Sequence, residues 1–118
     1  MNISKIQGSV KKPFAFNYLD TDGNICASEE WVSVKRLSFR KAAADEFQEL
    51  FKDVDENREK IAELIANLAD GWSLAKDDEG TPLEITKENI LDLDVGLVTK
   101  LSEQVAAVVF PNFQTAKN

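Results

Sequence analysis

Apolar and polar positions alternate from Pro13 onward: Phe14, Phe16 and Tyr18 share one side of an extended chain, with Ala15 and Asn17 on the other. A period of two marks a half-buried strand. Asp20-Thr21-Asp22-Gly23 then supplies turn chemistry, because an Asp-Gly pair tolerates the positive φ angles of a tight hairpin. A second extended stretch follows, with Val32 and Val34 on one side and Trp31 and Ser33 on the other. Residues 13–35 are therefore expected to form a β-hairpin. Two strands alone are marginal in water, so the aromatic side must pack on something else. Residues 1–12 show no sustained period and read as a loose N-terminal tail.

Beyond the hairpin the period changes to that of a helix. Ser38 is a candidate N-cap for a helix over about 39–53, in which Ala43, Phe47, Leu50, Phe51 and Val54 form one apolar stripe. Asp55 is a candidate cap for a second helix over 56–70, with Glu56 near its positive end. Ile61, Leu64, Ile65 and Leu68 make its buried stripe, Trp72 continues it, and Gly71 is the expected left-handed terminator. An acidic loop follows over residues 76–83. Thr86 can cap a short helix over 87–93 carrying Ile90, Leu91 and Leu93, and Asp94 and Gly96 interrupt it. A last helix over 97–110 carries Leu97, Leu101, Val105, Val108 and Val109 along one side, and Pro111 stops it before a polar tail at 112–118. The pattern predicts a single domain over 13–111 of mostly α (α+β) class: an N-terminal β-hairpin packed on a three- to four-helix bundle.

Composition narrows the function classes. With 118 residues, 43% hydrophobic and 30% charged, the chain can support a real core and reads as soluble and globular. No apolar run approaches the roughly 20 residues of a membrane helix, and the N-terminus has no apolar signal core, so a cytosolic location is expected. There is no histidine, which removes the commonest general base and the commonest metal ligand. The single cysteine, Cys26, has no intrachain disulfide partner and reads as a small half-buried residue. The 21 acids against 14 bases give a net charge of −7, which disfavours nucleic acid as a partner. The basic pairs Lys11-Lys12, Lys35-Arg36 and Arg40-Lys41 are short and read as solvated positions.

Motif chemistry is sparse. Asp20-Thr21-Asp22-Gly23-Asn24 resembles the opening of a calcium-binding loop, but Ile25 stands where the turn glycine is needed and Trp31 where the bidentate Glu is needed. A hairpin turn accounts for the same residues. Asp77-Asp78-Glu79 reads as a solvated turn. No nucleophile motif and no phosphate-cradling glycine loop is present, so the chain is expected to be non-enzymatic, with no cofactor and no metal. Residues 105–110 stand out because they are apolar nearly all round, and such a helix must be covered on every side. Either the fold buries it fully or a partner does. On the second reading Leu101, Val105, Val108, Val109 and Phe110 form a partner-binding surface, for a client or for self-association.

The order of parts after Gly71 carries a resemblance. Trp72 is followed by the Asp77-Asp78-Glu79-Gly80 turn, Pro82, the Thr86 helix cap and the apolar helix over 97–110. This order resembles the C-terminal half of the small tail assembly chaperones of long-tailed bacteriophages, in which a Trp closing a helix precedes an acidic turn, a Pro, a Thr or Ser cap and a final apolar helix. The resemblance covers the last third to half of the chain. It implies a non-enzymatic chaperone in the cytoplasm of the bacterial host that binds the tape-measure protein, helps tail-tube protein polymerise around it, and is absent from the finished particle. Two other classes fit the same residues: a structural minor tail or tail-completion protein of the virion, and a cellular helical adaptor or regulator unrelated to phage.

Overall fold

A computed structural model of the chain describes residues 1–6, 8–37, 49–50 and 52–109, with the side chains of all but Ile6 and Val54. After a short 3-10 turn (Ile3–Ile6), β1 (Ser9–Leu19) and β2 (Ile25–Lys35) form the hairpin. They are followed by α1 (Val54–Leu68), β3 (Ala69–Trp72), α2 (Lys87–Leu91) and α3 (Val95–Val109). The sheet is antiparallel in the order β1-β2-β3.

The hairpin forms as the alternation predicts and extends four positions further back, to Ser9. Register pairs Ser9 with Lys35 and Leu19 with Ile25. The turn closes through Asp20 N–H donating to Asn24 O at 2.9 Å and Gly23 N–H donating to Asp20 O at 3.0 Å. Gly23 takes φ +83°, a conformation that a residue with a Cβ rarely adopts.

The bundle expectation is overturned. The second helix does not run to residue 70 and end at Gly71. It stops at Leu68, and the next four residues pair with β2 as a third strand, Val32 opposite Trp72 and Ser33 opposite Gly71. Gly71 does not have the positive φ of a helix terminator. Instead it lets the ring of Trp31 lie against the strand, 3.5 Å from where a Cβ would stand. The physical reason is that β2 would otherwise leave its outward N–H and C=O groups unpaired next to a helix. Pairing continues past β3, with Ser73 N–H donating to Trp31 O at 3.1 Å. The predicted 39–53 helix falls mostly outside the described residues; at its end Glu49, Leu50 and Lys52 are helical. The result is a two-layer α+β fold with a three-stranded sheet, not a hairpin on a helical bundle.

Local sequence chemistry sets the helix starts. Asp53, not Asp55, caps α1, its carboxylate accepting from Glu56 N–H at 3.2 Å, while Asp55 and Glu56 sit in the first turn. Thr86 caps α2 through Asn89 N–H at 3.1 Å, as expected, but the helix ends at Leu91. Asp94 accepts from Gly96 N–H at 2.8 Å, so this residue starts α3 two positions before the predicted start.

The helices cover one side of the sheet. Phe14, Val32 and Val34 meet Ile61, Ala62, Ile65 and Leu68 of α1, Ile90 of α2, and Leu101, Val105 and Val108 of α3 in one buried cluster. Trp72 faces the same way, 8% exposed, and its indole N–H donates to Leu83 O at 2.7 Å. That bond ties the third strand to the segment leading into α2. Trp72→Ala is expected to lower stability by about 3–5 kcal/mol in urea denaturation, the range for emptying a large aromatic site. A loss under about 1 kcal/mol would mean that the ring contributes little to the core.

Candidate interaction surface

The last helix was the sequence's candidate for partner contact, and the structure divides its residues. Leu101, Val105 and Val108, spaced i, i+4 and i+7, point into the core, the first two with no exposed surface. Val109 is half-buried and packs at the edge of the same cluster with Leu97, Val98 and Ala106. Phe110 lies outside the described residues. The apolar character on several sides of α3 is thus largely taken up within the chain, because α3 lies across both β1 and β2 and also touches α1. A partner reaching α3 would meet the half-buried flank, not the three core residues.

A different apolar surface lies at the tip of the hairpin. Leu19 and Ile25 oppose each other in the register on the side of the sheet away from the helices, and are 66% and 79% exposed. Tyr18, on the helix side, is 44% exposed and stacks on Phe16 with ring centroids 5.9 Å apart. This surface was readable from parity, since Leu19 and Ile25 occupy the positions that alternate away from Phe14 and Val32. Toward the base of the hairpin the outer side changes character: Lys11 Nζ sits 4.0 Å from the centre of the half-buried Trp31 ring, a cation–π contact.

The carboxylates near these surfaces are engaged in local structure. Asp20 accepts from the N–H groups of Asp22 and Asn24, both at 2.9 Å. The Asn24 backbone bond is the main reason its carboxyl titrates below the ordinary value. Asp77 makes the equivalent turn with Thr81 and Glu79 N–H, both at 3.1 Å, and is lowered chiefly by Thr81. Burial works against ionisation of Asp70, yet hydrogen bonds from Ser33 and Ser9 and the nearby Lys35 charge outweigh it and leave that carboxyl lowered too. Glu30 accepts from Ser28 Oγ at 2.5 Å and Ser73 Oγ at 3.0 Å, and Ser73 Oγ in turn receives Trp31 N–H at 2.9 Å. These contacts join β2 to the chain beyond β3. Among the described residues no three Asp, Glu or Cys side chains are grouped so as to hold a metal ion.

Comparison with protein-family models, curated protein sequences and solved structures finds no match to this chain. Among the described residues, no helix is long and apolar enough to cross a membrane. The surfaces therefore rest on their own geometry.

The three lowered aspartates fix the sign of the acid response. Each is more readily ionised in the fold than in the unfolded chain, so its contribution is complete above the ordinary carboxylate value, about 4. That contribution is lost as pH falls through the lower folded values. Urea midpoints measured from pH 7 down to pH 2.5 should fall steadily below about pH 4. Asp77→Asn should flatten part of that fall, because the amide oxygen still accepts from Thr81 but does not titrate.

Proposed function

We propose that this chain is a non-enzymatic assembly chaperone of a long-tailed bacteriophage, acting in the host cytoplasm by binding the tape-measure protein while tail-tube protein assembles around it. The observation that carries the reading is the order of parts from Trp72 through the acidic turn and the Thr86 cap to the apolar helix α3. One part departs from the family pattern: Trp72 stands on a strand just beyond a helix end, not on the helix itself. Two further features support the reading. The flank of α3 formed by Val98, Ala106 and Val109 gives an apolar strip of partial exposure for an elongated client. The net charge of −7 keeps a chaperone–client complex from non-specific association.

The reading is tested by co-expression with the tape-measure protein encoded in the same genome. The chain should keep that protein soluble and co-purify with it; a client equally insoluble with and without the chain would overturn the proposal. Two variants locate the contact. Val105→Asp puts a charge at a position with no exposed surface and should abolish the cooperative unfolding transition seen by circular dichroism. Val109→Asp lies at the half-buried flank and should keep the fold while weakening client capture about tenfold or more. Full capture by a folded Val109→Asp variant would remove this flank from the contact.

A further inference from the structure

The two ends of the hairpin fix which backbone groups of β1 point where. Asp20 N–H donates to Asn24 O, and Arg36 N–H donates to Gly8 O at 3.4 Å. Even-numbered residues of β1 therefore exchange hydrogen bonds with β2, and odd-numbered residues turn their N–H and C=O groups away from it. Among the described residues nothing pairs with that outer edge. Pro13 occupies one of the outward positions, where its missing N–H costs no ladder bond. Beyond it, residues 15–19 have no proline and no charge, so the devices that normally blunt an exposed edge are missing from this half of the strand.

We propose that this edge pairs antiparallel with the same edge of a second copy of the chain, about a two-fold axis at Asn17. That register is self-complementary. Ala15 pairs with Leu19 of the second copy, Asn17 with its own counterpart and Leu19 with Ala15, all outward-facing positions that exchange both backbone bonds. Pro13 falls outside the paired segment. On the helix side, the stacked Phe16 and Tyr18 of each copy meet Tyr18 and Phe16 of the other. On the far side, exposed Leu19, already beside Ile25, gains Ala15 of the second copy. Charge selects the partner. Beyond the paired segment, which ends with β1 at Leu19, the acidic turn at Asp20 and Asp22 of each copy lies toward the Lys11-Lys12 stretch of the other, and symmetry repeats this at both ends. The basic end of each strand thus faces the acidic turn of the other, which gives two acidic chains a local attraction. The assignment does not rest on the chaperone reading.

Sedimentation equilibrium of the full chain at sub-millimolar concentration should show a dimer. Asn17→Pro removes one outward N–H and leaves the β1–β2 bonds intact, as Pro13 does in the same strand, so it should give a folded monomer. Asp22→Lys and Lys12→Asp should each weaken the dimer about fivefold, since an exposed ion pair contributes modestly and occurs twice. The double variant Lys12→Asp with Asp22→Lys should restore it. A strictly monomeric wild type would overturn the assignment. So would a dimer that withstands Asn17→Pro, or charge variants that fail to compensate each other.

Discussion

The pairing of β3 with β2 is the constraint on which the rest of the structure depends. Four residues, Ala69 to Trp72, turn the chain from helix to strand within a single position, since Ala69 still donates to Ile65 O while its own backbone is already extended. Once Trp72 is opposite Val32, its ring lies over the core and its indole N–H fixes Leu83. Between these two residues the chain folds back on itself, with Leu83 N–H donating to Leu74 O at 3.0 Å and Lys76 N–H to Thr81 O at 2.9 Å. α2 and α3 then start from a fixed origin and close over the sheet. Without the third strand, that origin would not be in place.

The sequence carried the hairpin clearly because two independent signals agreed there: a period of two, and an Asp-Gly turn at the right separation. Thr86 and the last helix were legible for similar reasons. The third strand was not, because burial of Ile61, Ile65, Leu68 and Trp72 suits a helix continued to 72 as well as a helix that ends and hands on to a strand. Periodicity over four residues cannot separate these, and Gly71 permits either. The helix cap was misread because Asp53 and Asp55 are both acceptable caps, and only the position of Glu56 N–H chooses between them. The start of β1 was hidden by Lys11 and Lys12, whose long side chains an edge strand tolerates, that of Lys11 laying its ammonium over the Trp31 ring.

The sheet also sets the surroundings of the last helix. Against a bundle, a helix apolar on several sides looks undersupplied with cover. A sheet offers a broad flat surface with Phe14, Val32 and Val34 side by side, and α1 closes the flank, so Leu101, Val105 and Val108 are covered within the chain. Among the described residues, exposed large apolar side chains gather at the hairpin tip, where the strands run on beyond the end of β3, with Val95 at the start of α3 and Met1 and Ile3 near the N-terminus standing apart. The acidic surplus is likewise more structured than the total suggests. Asp20, Asp53, Asp77 and Asp94 each bind backbone N–H groups at a turn or helix start.

The two tryptophans lie on opposite sides of the one sheet. Trp72 is enclosed among aliphatic side chains with its indole N–H bonded to a carbonyl, whereas Trp31 lies on the outer side beneath a lysine ammonium and against Gly71. Their emission should differ accordingly, blue-shifted for the enclosed ring and redder, more quenchable by an added solute, for the outer one. The chain thus has a built-in optical reporter for each layer. Loss of the helical cover would be seen through Trp72, while a molecule settling on the side of the sheet away from the helices would register through Trp31.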